Sequence, residues 1–359
     1  MRCSTRILTS AGATTRAFRA GAFCLMAACA GAQQPPPRAA ASGNVEAAPS
    51  AEQQLVLRAR QYFAALPEPQ PQNPAWVALG RRLFFETRVS ADGQVGCVSC
   101  HQPDKWASDG LALAKGTSGR VNPRNSPSVF NAFLQTSEHW RGDRESVEDQ
   151  ARRALVGPAS FGLASEADAA SKIAALPGYE GVFREAFPGA EAPVSAEHWA
   201  TAIGAYERTL VTKGPFDAFL GGDSNALSAD ARAGLAAFLD TGCAECHAGP
   251  LLGGREFKKF GRFADYVSLT HSDHSDAGRF DVTHAESDRA VFKVAALRNV
   301  EHTAPYFHDG SVGSLADAVD IMAKAQLNVQ LSAPSTAAIV AFLSALSAPL
   351  PAAFSPPGP

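Results

Sequence analysis

Two pentapeptides in this chain repeat one arrangement of reactive groups. Cys97-Val98-Ser99-Cys100-His101 and Cys243-Ala244-Glu245-Cys246-His247 each place two thiols three residues apart, with an imidazole directly after the second. A zinc site usually needs two such pairs close together, or a paired histidine further on. Here the pairs lie far apart and each has its own adjoining histidine. C-x-x-C-H is instead the attachment signal of c-type haem. Residues three and four apart share a face of one helical turn, so both thiols can add to the vinyl groups of one porphyrin while the next imidazole sits under the iron. The spacing predicts two covalently bound haem c groups, one on Cys97, Cys100 and His101, the other on Cys243, Cys246 and His247. Zinc and redox dithiols are the alternatives.

A haem iron with histidine on one side needs its other side explained: a second strong ligand makes an electron carrier, a vacant position makes a catalyst. The three methionines are Met1, Met26 and Met322. The first two fall in an export leader, which makes Met322 the thioether candidate for the second haem. No methionine serves the first haem, and no histidine stands between His101 and His139. That haem is expected to be five-coordinate or water-ligated, with His139 a weaker ligand candidate. His271, His274 and His284 sit in a polar, glycine-containing stretch that reads as a loop rather than a metal site.

The elements that must position these groups are mostly helical. Residues 1–28 carry Arg2, Arg6, Arg16 and Arg19, no acid, and a short apolar run, which is an export signal. "MAAC" before Cys29 resembles a lipoprotein box, with lipidation of Cys29; cleavage after Ala32 is the competing reading. Residues 29–72 comprise an Ala/Pro-rich tether and a helix from about Ala51 to Leu66. Ser195 caps a helix that places Trp199, Ile203 and Leu210 near one face. "LSADARAGLAAFLDTGC" leads a capped helix into the second motif, and "SLADAVDIMAKA" and "STAAIVAFLSAL" are two more helices. "LGRRLFF" before Cys97 and "AGLAAFL" before Cys243 form a weak internal repeat. The expected fold is mainly α, two tandem class I cytochrome c-like haem domains at 73–214 and 215–349, followed by a disordered tail at 350–359.

The formal charge is −3, from 32 basic and 35 acidic residues. Removal of the leader before Cys29 takes away four arginines and gives (32 − 4) − 35 = −7. No basic nucleic-acid footprint is present. After the leader no apolar run of about 18 residues would span a membrane.

At this point the chain resembles a known family, the bacterial dihaem cytochrome c peroxidases, which also include MauG-type enzymes. The resemblance covers most of 73–349 and rests on "LGRRLFFETRVSADGQVGCVSCHQP", "NPRNSPSVFNAFL", "HWRGDRESVEDQ", "YERTLVTKGPFDAFLGGD", "GCAECHAGPLLGG", "VFKVAALRNVEHTAPYFHDG" and "SLADAVDIMAKAQL". It implies a high-potential C-terminal haem on His247 and Met322, a low-potential peroxidatic haem on His101, and Trp140 as the electron bridge between them. It also implies Gln150 in the catalytic site and a calcium ion at the domain interface on Asn125, Thr303 and Pro305.

Two departures stand out. Family members often carry a histidine before "PRNSP" that caps the low-potential haem; here the stretch is "KGTSGRVNPRNSP". The distal glutamate expected ten residues after Gln150 is replaced by Ser160, whose hydroxyl has no suitable pKa for moving a peroxide proton. Glu166 or an ordered water would have to substitute. The leading expectation is reduction of hydrogen peroxide to water, with electrons from a small cytochrome or copper protein. The alternatives are MauG-type oxidation of a partner protein, against which Met322 argues, and a non-catalytic dihaem carrier, for which Ser160 argues. The expected location is the periplasm, at the outer membrane if Cys29 is lipidated, and a homodimer is compatible with these partners.

Overall fold

The computed structural model describes residues 48–273 and 275–358. The leader at 1–28, Cys29 with its expected lipid, the tether as far as residue 47, and His274 lie outside the described residues. Among the described residues, no helix is long and apolar enough to cross a membrane.

Helices dominate. The first half holds α1 (Ala51–Ala59), α2 (Pro74–Phe84), α3 (Cys97–Cys100), α4 (Val147–Ala154), α5 (Glu166–Ala174), α6 (Tyr179–Ala186) and α7 (Ala196–Glu207). The second holds α8 (Pro215–Gly221), α9 (Ala229–Thr241), α10 (Tyr266–Thr270), α11 (Phe280–Thr283), α12 (Leu315–Met322) and α13 (Ala333–Ser344). The strands β1 (Phe257–Lys259) and β2 (Val291–Lys293) pair antiparallel, Lys258 opposite Phe292. Serines do the capping the sequence predicts: Ser195 accepts from His198 N at 3.1 Å and Ser228 from Ala231 N at 3.1 Å. The helix expected to reach Leu66 ends at Ala59 instead, and the chain continues through turns that bury Phe63 and Leu66.

Two hydrophobic cores form. One is built on Leu79, Leu83, Phe84, Trp199, Ile203 and Tyr206. The other gathers Phe216, Leu235, Phe238 and Phe342, with Phe63 from the segment after α1. Each core is organised by one helix pair in close contact, α2 on α7 and α9 on α13. A Cβ on Gly80 would come within 1.9 Å of the Ala202 carbonyl oxygen, and one on Gly234 within 1.8 Å of that of Ala338. These are the glycines of "LGRRLFF" and "AGLAAFL". The internal repeat therefore marks two equivalent helix crossings.

The tail expected to be disordered is instead packed. Phe354 is 4% exposed and meets Phe84 and Phe130 edge-on, with ring centroids 5.6 and 5.0 Å away. Tyr206 donates its hydroxyl to the Ala353 carbonyl at 3.0 Å, and Arg81 donates to Ser355. Proline-rich composition suggested a solvated chain, but one aromatic residue with a vacancy in the first core suffices to order it.

Buried polar ties organise the second half and join it to the first. Arg298 grips Asp217 through two bonds of 2.7 and 2.9 Å, with both side chains buried. The same carboxylate accepts from Leu66 N and Gly214 N, which offsets the desolvation of the pair. Thr212 Oγ1 accepts from Asn131 and Asn299, one from each half, at 2.7 and 2.9 Å.

Candidate functional site

The second motif follows α9 as a single 3-10 turn over Cys243–Glu245, closed by a bond from His247 N to Cys243 O of 3.0 Å. The His247 Nδ1 lies 3.1 Å from the Leu252 carbonyl. A carbonyl can only accept, so Nδ1 carries the proton and Nε2 presents a lone pair. Cys243, Cys246 and His247 line a cavity of 270 Å³ with Met322, Trp140 and His308. Met322 is the last residue of α12, and the chain passes there into a π-helical segment, Ala323–Leu327; such segments are frequent at functional sites.

The first motif forms α3 itself. Gly96 N donates to Ser99 Oγ at 3.0 Å, and His101 N to Cys97 O at 3.0 Å. His101 Nδ1 lies 3.0 Å from the Ala107 carbonyl, again leaving Nε2 free. Burial lowers the His101 pKa to about 4 and also depresses that of His247. Both rings are therefore neutral at pH 7, the state that ligates iron. Burial pushes the thiols of Cys100 and Cys243 up to about 11, with Cys97 and Cys246 raised as well. Among the described residues no further His, Cys, Asp or Glu joins either motif to complete a zinc site. Paired thiols, an oriented imidazole and an apolar cavity with a thioether fit a covalently attached haem.

The segment without a capping histidine is held in place. Thr117 N donates to Ser160 O at 2.9 Å and Asn122 Nδ2 to Ala159 O at 2.9 Å. Ser118 N donates to Asp92 at 2.6 Å. Ser160, half-buried, is thus part of the contact that holds this loop. Glu166, the carboxylate suggested as a substitute, is exposed at the start of α5 and pairs with Arg152 at 3.5 Å. Gln150 is half-buried in α4.

Trp140 is fixed through both its side chain and its backbone. Its indole N–H donates to the Asn125 carbonyl at 2.9 Å, and its own carbonyl accepts from Lys293 N at 2.7 Å. Asn125, Thr303 and Pro305 all line the same cavity as Met322. The Asn125 side chain donates to Leu111 O at 2.8 Å, so its amide oxygen is the atom it can offer a hard cation. His271 and His284 are exposed and have left-handed backbone, and among the described residues no three His, Cys, Asp or Glu side chains converge as a metal site.

Several features escaped the sequence reading. A constant offset of 168 residues relates the two halves around the site. Asn131 and Asn299 both adopt left-handed backbone, as do His139 and Phe307, and Gly142 and Gly310. Ser146 caps α4 and Ser314 caps α12, and both helices run eight residues. On this register Trp140 corresponds to His308, and Met322 corresponds to Ala154. His308 is 3% exposed and stacks on Phe292 at 4.2 Å. Glu138, Glu207 and Lys293 are also buried. Burial raises both carboxyls and lowers the lysine. No local pattern announces a buried charge, whereas the repeat could have been found by aligning Asn131, Gly142 and Ser146 with Asn299, Gly310 and Ser314.

Comparison with known proteins is consistent with this site. The family described as "Di-haem cytochrome c peroxidase" matches residues 74–225. The cytochrome c551 peroxidase of Pseudomonas aeruginosa is 40% identical over 283 residues, which cover 79% of this chain and 81% of that protein. The cytochrome c551 peroxidase of Nitrosomonas europaea is 38% identical, with 78% and 82% covered. The crystal structure of a MauG-like protein associated with microbial copper homeostasis superposes with a TM-score of 0.71 at 26% identity, covering 82% of this chain and 96% of that one.

Proposed function

The chain belongs to the dihaem cytochrome c peroxidase and MauG family, and from that premise we propose that it reduces hydrogen peroxide to water with electrons from a small cytochrome or copper protein. Membership implies two haem c groups. Haem supplies an iron that binds peroxide where a coordination position is open and exchanges electrons where both positions are filled.

Cys97, Cys100 and His101 would hold the peroxidatic haem in a domain spanning 73–214. Cys243, Cys246, His247 and Met322 would hold the electron-accepting haem in a domain spanning 215–349. The observation that carries this division is that Met322, the lone thioether after the leader, lines the cavity of His247, while its counterpart in the first half is Ala154. Alanine offers iron no ligand. Trp140, pinned by Asn125, would pass electrons between the sites, and the Gln150 amide would hydrogen-bond the bound peroxide. Asn125, Thr303 and Pro305 would offer oxygens to calcium. The expected export leader would put this chemistry in the periplasm, with an outer-membrane anchor if Cys29 is lipidated, and a homodimer is the assembly to look for.

Ser160 supports a second reading, a dihaem carrier that turns over peroxide slowly or not at all. Steady-state peroxide reduction separates the two. Intact mass after export from a host with haem-maturation machinery should exceed the polypeptide by two haem masses, and Cys243→Ala with Cys246→Ala should remove one. A protein loaded with zinc and free of haem would overturn both readings.

A further inference from the structure

Basic side chains gather beside the cavity of His247 and Met322, on a chain that is acidic overall. The sequence holds 32 basic against 35 acidic residues, and just eight of the basic residues are lysines. Three of those lysines are exposed on segments that line this cavity, Lys258 on its wall, Lys259 next in the chain and Lys324 two residues after Met322, as are Arg255 and Arg262. Lys258 lines the cavity itself. The segment is rigidly tied to the helix that bears Met322. Gln326 accepts from Gly261 N and Arg262 N at 2.9 and 3.1 Å and donates to Lys259 O at 2.9 Å, and Phe263 N donates to Ala325 O at 2.8 Å.

The acids nearby are engaged locally. Glu256 pairs with Lys258 at 2.8 Å, Glu245 accepts from the Tyr62 hydroxyl at 3.1 Å, and Asp265 caps α10 through Ser268 N at 3.1 Å. Within this basic ring Phe263 is 52% exposed, with the Arg262 guanidinium 5.0 Å from its ring centre. An exposed aromatic residue surrounded by cations has the make-up of a transient protein interface, in which aromatic and arginine side chains are enriched. Complementary charge there raises association rates more than it tightens the final complex.

We propose that the surface formed by Lys258, Lys259, Arg262, Phe263 and Lys324 is the docking site of the electron donor, and that the donor presents an acidic patch. The proposal rests on the reading that electrons enter at the Met322 site. It favours a donor with carboxylates around its redox centre over a lysine-rich cytochrome c.

The test uses the haem-loaded full chain and two isotope-labelled donors, an acidic blue-copper protein and a lysine-rich cytochrome c. Chemical-shift titration should show the acidic donor binding at low ionic strength at least about tenfold more tightly than the cationic one, with the difference fading as salt is added. Lys259→Glu combined with Arg262→Glu should weaken acidic-donor binding about tenfold, with an unchanged haem spectrum and unchanged reduction by dithionite. Arg184→Glu, on the exposed face of α6, serves as the control and should have no effect. Tighter binding of the cationic donor, or indifference of the acidic donor to the double charge reversal, overturns the proposal. Binding is read without peroxide, so failure of the docking site and failure of the peroxidase reading are separate results.

Discussion

The indole of Trp106 lies flat on the imidazole of His302, ring centroids 3.7 Å apart and planes 17° from parallel. The pair joins the two motifs' surroundings. Trp106 immediately precedes Ala107, whose carbonyl orients His101, and His302 precedes Thr303 on the wall of the Met322 cavity. Trp106 also holds left-handed backbone at φ 49°, which an L-residue tolerates poorly. The stack offsets that strain. Trp106→Ala should therefore be more destabilising than Trp106→Gly by about 1 kcal/mol, the reverse of the usual order, because only glycine relieves the backbone once the ring is gone. Urea unfolding of the two variants side by side checks the order.

Gly80 and Gly234 should each reject a methyl group. The obstacle at 1.9 or 1.8 Å is a backbone carbonyl of the crossing helix, which cannot rotate away. Gly80→Ala and Gly234→Ala should each cost about 2 kcal/mol or more through overpacking, although alanine is the better helix former. Thermal unfolding is the measurement, and a gain in stability from either change would refute the close crossing.

Met322→His should lower the potential of the second haem, because imidazole favours ferric iron more than a thioether does. The weak near-infrared sulfur-to-iron band should disappear with it. The companion change is Ala154→Met, which places a thioether at the corresponding position of the first half. It should convert the first haem toward a low-spin, six-coordinate spectrum and slow the binding of azide. If Ala154→Met leaves the spectrum of the first haem untouched, the correspondence of α4 with α12 does not extend to the haem.

Ser160→Glu should raise peroxide turnover, since a positioned acid–base group contributes about 10²–10⁴-fold. Azide binding should hardly change. The Ser160 contact with Thr117 is made by its backbone carbonyl, so the side chain can be replaced without releasing the loop. A high starting rate that falls in Ser160→Glu would remove the acid-deficit argument.

Glu86 should make stability fall in acid. Its carboxylate accepts from Arg88 at 2.8 and 2.6 Å and from the Tyr179 hydroxyl at 2.9 Å. The Arg88 hydrogen bond, with help from Tyr179, holds its pKa at about 2 against an ordinary 4.5. A depressed carboxyl stabilises the fold fully above its unfolded value and loses that contribution as pH falls from about 4.5 toward about 2. Glu86→Gln should be less stable than the parent at pH 7 and should approach it near pH 2. Denaturant midpoints measured across that range give the comparison.

Much of this protein was determined locally. The haem attachment expected at Cys97–His101 and Cys243–His247 is read from residue spacing within a single turn, which needs no tertiary information. Helix starts at Ser195 and Ser228 follow from a hydroxyl within reach of the next free N–H groups. The composition of the tail at 350–359 misled because burial of Phe354 depends on a gap left by Phe84 and Phe130, which are distant in sequence. Only the folded chain could bring Met322 to the cavity of His247, place Trp140 under the Asn125 carbonyl, or hold Ser160 against the loop at Thr117. Only there do Lys258, Lys259 and Lys324 become one basic rim on an acidic chain. Bond geometry and capping act over a few residues, whereas ligand sets, buried charges and surface patches depend on which distant segments the two helix crossings bring together.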